Sequence, residues 1–394
     1  MRVIGVICEY NPIHPGHVAH IEKTRTALGS DCKVLCVMSG NYVQRGDFAV
    51  FEKHARAEAA VVCGADLVVE MPTPYTLLSA EGFASAGVFI LEKTGICDFI
   101  SFGSESGDIA AIREAAKAIV SLKATEQLKA KLKEGMSYAR AQQEAANVIL
   151  GENADIMRSP NNLLGVEYMK ALTEMDSKIT PITIRRIGGA HDGTSGYSAS
   201  ALRRKLIFGE KIWADVPSAA ARVYMNEIAE GRGPISMALY EQAMMSRLRA
   251  AGDFSHLPGI SEGIDRRMLR YVKSEPTILK MMECIKTKRY AMSRIRRMIM
   301  CACLGITALD TCGPPSYIRV LAMNSAGKEL LREMRVKAEL PIITKPASVK
   351  KIKGSAAAMF QKESYATDFY ALAYQNENCR QGGQEWLMGP RVVT

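Results

Sequence analysis

The sequence predicts an α/β fold: a doubly wound parallel sheet followed by a mostly helical, basic region. Three observations predict it. Short apolar runs alternate with helical patterns through the first 110 residues. That alternation fades beyond about residue 210. Most of the net positive charge then falls in one window of the second half.

Val3–Cys8, Lys33–Ser39, Ala65–Glu70 and Asp98–Phe102 read as buried parallel strands, being nearly continuous in apolar residues and bounded by turn formers. Between them, His17–Leu28, Lys53–Cys63 and Ser79–Lys93 carry helical spacing. This β-α-β-α order calls for crossover helices on both faces of a Rossmann-like sheet. Ligands in such sheets collect at the carboxyl ends of the strands. The loops there are Glu9–Pro15, Gly40–Phe48, Met71–Thr76 and Gly103–Gly107.

From Ile109 to about Leu150, Ala, Lys, Glu and Leu predict helix, and Ser159-Pro160-Asn161-Asn162 starts another with polar N-cap candidates. Ile179–Ile187 reads as a further strand, Gly188–Gly196 as a loop, and Ser198 opens a helix. Past Gly209 the pattern is helical, except for strand-like runs at Tyr317–Leu321 and Leu340–Thr344. A boundary near residue 210 divides the chain into 1–210, the sheet domain, and 211–394, the helical region. The tail after Asn376 has Gly382-Gly383 and few apolar residues, and reads as loosely held.

The chain has 394 residues, 48% hydrophobic and 23% charged, enough for two or three domains with a substantial core. Its longest apolar stretch, Met298 to Leu309, falls short of the roughly 20 residues that span a bilayer. No leader is visible, so the expectation is a cytoplasmic protein with no membrane partner. The ten cysteines include no Cys-x-x-Cys pair, which predicts core thiols with no zinc site and no disulfide framework. Between Arg266 and Arg297, eleven Lys and Arg residues face two acids, Glu275 and Glu283, within a chain whose net charge is +10. Such a block suits a polyanion better than a small acidic metabolite, although a solvated helix face is the plain alternative.

The strongest chemical signal is His14-Pro15-Gly16-His17, directly after the first strand and opening the first helix. A helix N-terminus offers unpaired N–H groups and partial positive charge to phosphate. Gly16 lets the backbone approach a ligand closely. The imidazoles of His14 and His17 can donate to α-phosphate oxygens, where charge builds as pyrophosphate departs. Ordinary turn and cap roles are the alternative, and the position after an N-terminal strand weighs against them. Tyr197-Ser198-Ala199-Ser200-Ala201-Leu202-Arg203 is a second element: Ser198 and Ser200 at a helix start, with Arg203 one turn in, can hold phosphate. Plain N-capping explains those serines equally well when they are taken alone.

The strand–turn–His-x-Gly-His arrangement resembles the signature of nucleotidylyltransferases. Eight segments in order extend the resemblance to one family. They begin with Glu9-Tyr10-Asn11-Pro12, Met38-Ser39-Gly40-Asn41-Tyr42-Val43-Gln44-Arg45-Gly46, Gly64-Ala65-Asp66-Leu67-Val68 and Phe102-Gly103-Ser104-Glu105. Ser159-Pro160-Asn161-Asn162, Ser261-Glu262-Gly263, Thr287-Lys288-Arg289-Tyr290 and Tyr317-Ile318-Arg319-Val320-Leu321 complete the series. The chain thereby resembles the bacterial tRNA(Met) cytidine acetate ligases. The resemblance implies a nucleotidylyltransferase-type sheet that binds ATP, with Mg²⁺ as a candidate companion, and makes acetyl-adenylate from acetate. The acetyl group would then pass to N4 of the wobble cytidine of elongator tRNA(Met).

It also implies ATP contacts across Ile7, Cys8, Glu9, Tyr10, Asn11, Pro12, Ile13, His14, Pro15, Gly16, His17, Val18, Ala19 and His20. Further contacts fall at Gly103, at Asn161 or Asn162, at Arg185, Arg186 and Ile187, and at the Ser198–Arg203 element. Lys288, Arg289, Arg296 and Arg297 are the residues expected to hold tRNA, apart from the adenylation site. The rival readings are a nucleotidylyltransferase for a small phosphorylated metabolite and a non-catalytic RNA-binding protein.

Overall fold

A computed structural model describes residues 2–29, 31–122, 126–136, 138–186, 198–261 and 263–394. In chain order the strands are β1 (Val3–Cys8), β2 (Lys33–Ser39), β3 (Tyr42–Val43), β4 (Asp47–Phe48) and β5 (Leu67–Met71). They continue with β6 (Phe99–Ser104), β7 (Thr180–Arg185), β8 (Ile318–Met323), β9 (Ile342–Ile343) and β10 (Arg391–Val392). The central sheet runs β10-β8-β5-β2-β1-β6-β7, with β9 beside β8. From β5 to β7 every neighbour is parallel, and β8 lies antiparallel to β5.

Strand periodicity explains why these runs are apolar at successive positions. Ile4, Val6, Val34, Cys36, Met38 and Val68 face one core with Ala55, Ala59, Leu202 and Tyr224. Val3, Leu35, Val37, Leu67 and Val69 face the other with Phe83, Val88 and Tyr168. Alternate side chains point to opposite faces, and helices cover both. The helices Pro15–Leu28, Lys53–Val62 and Ala80–Lys93 stand where helical spacing predicts them. A doubly wound α/β sheet is therefore present, as expected from the sequence.

The region from 241 to 304 builds a third core. Met244, Met268, Met282, Ile295 and Ile299 pack there with Phe369 and Tyr370 of the Ser355–Ala371 helix. Tyr42 and Phe48 belong to the same core, so the segment Gly40–Phe48 is not a free loop. It folds as the β3–β4 hairpin and plugs into the helical region. Tyr42 donates to the Ala366 carbonyl at 2.7 Å, and Phe48 stacks on Tyr240 with centroids 3.8 Å apart. At the tip Gly46 adopts φ +73, and a Cβ there would collide with the backbone of Arg296 and Arg297. Glycine alone allows both the left-handed turn and this approach.

Two expectations need revision. A cut at residue 210 would remove β8, β9 and β10 from the sheet. The tail after Asn376 is anchored: β10 pairs with β8, and Glu385 is wholly buried. Its sparse apolar content misled because charge holds it in place. Lys53 Nζ lies 2.7 Å from both Glu70 and Glu385, and Arg319 lies 2.7 Å from Glu385. Glu363 accepts from the Thr73 hydroxyl at 3.0 Å and stands 4.0 Å from Lys53. Burial disfavours the charge on Glu385, yet Lys53 and Arg319 hold its carboxyl down to about 2. Burial, aided by Glu70, pushes Glu363 up to about 8. The knot thus sets Lys53 and Arg319 against Glu70 and Glu385, with Glu363 held largely protonated beside them at neutral pH. Among the described residues no helix is long and apolar enough to cross a membrane.

Candidate active site

His14 is the N-cap of the Pro15–Leu28 helix, in extended backbone. Its Nδ1 accepts from the Gly16 N–H at 3.1 Å, and His17 Nδ1 accepts from the His14 N–H at 3.3 Å. The two imidazoles thus cap one another's turn, a reciprocal arrangement normally made by Ser or Thr with Glu. Their rings stack with centroids 3.8 Å apart, and Tyr10 backs His17 at 5.0 Å. Burial lowers the His14 pKa to about 4, with Arg186 adding to the shift. His17 is lowered by burial, then by His14 and Arg186. Both rings are neutral at pH 7. A neutral imidazole with an accepting Nδ1 carries its proton on Nε2. The backbone therefore fixes the tautomer and leaves Nε2–H as the donor. His20, also lowered to about 4 by burial and Arg186, meets Ser101 Oγ at 3.0 Å.

These groups border a cavity of about 980 Å³ at the carboxyl ends of β1 and β6. Ile7, Cys8, Glu9, Tyr10, Asn11, Gly16, His17, Ala19 and His20 line it, together with Gly103, Asn161, Arg185, Arg186 and Arg203. The structure brings these residues together around one cavity. Pro12, Ile13, Pro15 and Val18 do not line it, and His14 stands behind His17. Ile13 is wholly buried, its N–H bonded to the Tyr224 hydroxyl at 3.2 Å.

The asparagine pair also holds the protein's own backbone and side chains, with Asn161 on the cavity wall. Asn162 is buried, and its Oδ1 accepts from the N–H groups of Glu105 and Ser106 at 3.0 and 3.2 Å. Glu105 in turn receives Asn161 Nδ2 at 2.6 Å and the Asn162 N–H at 3.0 Å. The pair locks the loop after β6 to the Pro160–Glu174 helix. Ser198 accepts from the Ala201 N–H as an ordinary cap, and Ser200 accepts from Arg203 at 3.1 Å. Neither serine lines the cavity, whereas Arg203 does and also donates to the Asn11 carbonyl at 2.7 Å. Ile187 and Tyr197 lie outside the described residues, as does Glu262.

The basic block departs from expectation. Arg289 and Arg297 line the same cavity as His17, so the block is not apart from it. Arg296 is pinned to Asp47 at 3.3 Å, and Lys288 is exposed away from the cavity. The hairpin clasp at Gly46 causes this, because it lays the Met292–Leu304 helix across the mouth of the sheet crevice. Lys23, Gln44, Arg45, Leu78, Phe83 and Tyr168 also line the cavity and were not singled out as site residues. Of these, Gln44 and Arg45 could have been found, since they stand in a loop at a strand's carboxyl end. The one carboxylate on the wall among the described residues is Glu9, which accepts from the Gln44 N–H at 2.6 Å. Among those residues, no group of three or more His, Cys, Asp or Glu is placed to hold a metal ion.

The chain is similar to known proteins along its length. The family described as HIGH nucleotidyl transferase matches residues 1–385. The tRNA(Met) cytidine acetate ligase of Thermoanaerobacter sp. (strain X514) is 35% identical over 96% of this chain and 97% of that one. The Acetivibrio thermocellus tRNA(Met) cytidine acetate ligase is 34% identical over 98% of each chain. The crystal structure of Thermotoga maritima TmcAL bound with alpha-thio ATP superposes with a TM-score of 0.91 at 30% identity, over 100% of this chain and 99% of that one. With the His-x-Gly-His turn seated on the cavity wall, the chain belongs to the HIGH nucleotidyl transferase family and, within it, to the tRNA(Met) cytidine acetate ligases.

Proposed function

We propose that this protein is an ATP-dependent ligase that adenylates acetate in the cavity at His17 and acetylates N4 of the wobble cytidine of elongator tRNA(Met). The observation that carries the site assignment is the fixed tautomer of His17, a neutral imidazole with Nε2–H free beside an arginine-lined cavity. An acetate oxygen attacks the α-phosphorus in line, and the bond to the bridging oxygen breaks with its electron pair leaving on pyrophosphate. His17 donates to the α-phosphate oxygens as charge builds there. His14 positions His17 by stacking and capping. Arg185, Arg186, Lys23 and Arg203 supply countercharge, and Gly103 leaves room for nucleotide to lie against backbone. The cytidine amine then attacks the acetyl carbonyl, AMP leaves, and the amine proton passes to solvent. No protein nucleophile is needed, because the mixed anhydride is already activated.

A Mg²⁺ ion travelling with ATP would draw on phosphate oxygens and water, with Glu9, the one wall carboxylate among the described residues, as the candidate protein ligand. Arg289, exposed on the cavity wall, and its exposed neighbour Lys288 suit the tRNA backbone. A tRNA substrate supports a cytoplasmic location. The test is ATP–pyrophosphate exchange with acetate, without tRNA. Wild-type protein should exchange, and His17→Ala should lose roughly 100-fold or more, the scale of one transition-state donor. Near-normal exchange by His17→Ala would sink the assignment of His17, and exchange with a phosphorylated metabolite instead of acetate would sink the ligase reading.

A further inference from the structure

The basic block spreads over four environments, and one of its members stands apart. Lys288 is exposed, Arg296 is paired with Asp47, and Arg294 donates to the Gly259 carbonyl at 3.0 Å and to Ser261 Oγ at 2.6 Å. Arg297 is half-buried in the cavity wall beside Met298 and Cys301, with no hydrogen bond or ion pair to any described residue. Burial pushes its guanidinium down to about 10. Arginine keeps its proton at working pH, so this is a permanent charge with reduced hydration. Holding such a charge is costly until an anion meets it. The wall offers none, because Glu9 is the only carboxylate there among the described residues and it is bonded to Gln44.

Position is fixed as firmly as charge. Glu9 directly follows β1 and leads into the His-x-Gly-His turn, and it holds the Gln44 N–H at 2.6 Å. Two residues on, Gly46 abuts the Arg297 backbone. The hairpin therefore ties the Arg297 wall to the His17 wall across one cavity. A tRNA backbone phosphate carries a ribose on each side and suits exposed cations such as Lys288 and Arg289. A half-buried guanidinium on the wall of the cavity that holds His17 suits a polyphosphate.

We propose that Arg297 binds the β- and γ-phosphates of ATP and the pyrophosphate they become, as a further catalytic residue of adenylation rather than a tRNA-binding residue. The proposal rests on the ATP reading of the cavity. As the bond between the α-phosphorus and the bridging oxygen breaks, the electron pair goes to pyrophosphate, and the guanidinium offsets that charge.

Arg297→Met and Arg297→Lys test it by calorimetric titration with ATP and with AMP, and by acetate-dependent pyrophosphate exchange without tRNA. In Arg297→Met, ATP affinity should fall roughly 10- to 100-fold, the scale of one charge-assisted hydrogen bond. AMP affinity should stay near wild type, and exchange should fall about 100-fold. Arg297→Lys should recover part of both losses. Unchanged exchange and ATP affinity would overturn the proposal. So would equal loss of ATP and AMP, which marks a structural role, or lost tRNA binding with exchange intact. Failure of wild-type protein to bind ATP or to exchange would instead overturn the ATP reading, so the two failures are distinguishable.

Discussion

Two groups of charged side chains, one buried and one lining a cavity, are built on opposite terms. In the knot around Lys53, every cation has a carboxylate within 2.7 Å, and the acid without a close cation is pushed up to about 8 by burial and Glu70. In the cavity, Lys23, Arg45, Arg185, Arg186, Arg203, Arg289 and Arg297 share one wall carboxylate among the described residues. The knot joins the Lys53–Val62 helix, β5 and β8 to the chain's tail, and its charge is closed. The cavity's charge is open, as a site for polyanions must be. A balanced cluster of buried charges points to architecture, and an unbalanced one points to a ligand.

The comparison can be broken most directly at Lys53. Lys53→Met leaves buried carboxylates without their shared cation, and loss of one partner of a buried pair costs about 3–5 kcal/mol. Urea unfolding should show a loss of that size. A loss below roughly 1 kcal/mol, the range of an exposed pair, would mean that the knot does not hold the tail.

Glu363→Gln sharpens the same side. A carboxyl raised to about 8 from an ordinary 4.5 binds more protons folded than unfolded. Its stabilisation is full below about pH 4.5 and is lost as pH rises through 8. Gln mimics the protonated acid at all pH. The variant should therefore gain stability relative to wild type progressively from pH 4.5 to 8, with a constant difference beyond. A pH-independent difference would show that Glu363 is already charged in the fold.

The smallest effect is expected on the open side. Arg186 is exposed and its side chain has no hydrogen-bond or ion-pair partner among the described residues, so Arg186→Gln should change stability by no more than about 0.5 kcal/mol. It should nevertheless raise the pKa of His14, His17 and His20, each of which Arg186 pushes down. Imidazole NMR titration reads that shift. Unmoved histidines would leave burial, and for His17 its histidine neighbours, as the cause.

The sheet from β1 to β7 was legible because its strands are short and apolar, and alternate with helices of local spacing. The histidine turn was legible because strand, turn and helix start are contiguous in sequence. What escaped was set by contacts far apart in the chain. Gly40–Phe48 has the composition of a loop, and its pairing partner is the hairpin's own other arm plus a core some 200 residues later. Arg297 resembles any other member of a basic run, and only the Gly46 contact separates it from Lys288. Asn161 and Asn162 were read as ligand groups or caps, since nothing local announces that Glu105 will sit across from them. The tail was misread because its anchor, Glu385, is a charged residue whose partners, Lys53 and Arg319, stand far away in sequence.

The antiparallel join between β5 and β8 also bears on how the chain is made. Leu67–Met71 emerges early from the ribosome, and its outer neighbour, Ile318–Met323, comes some 250 residues later. At about 5–20 residues per second, that apolar edge waits on the order of ten to fifty seconds for its partner. A bare apolar strand edge is a template for pairing with other chains. For this protein the hazardous interval falls during synthesis, when helpers that shield nascent chains have the most to do.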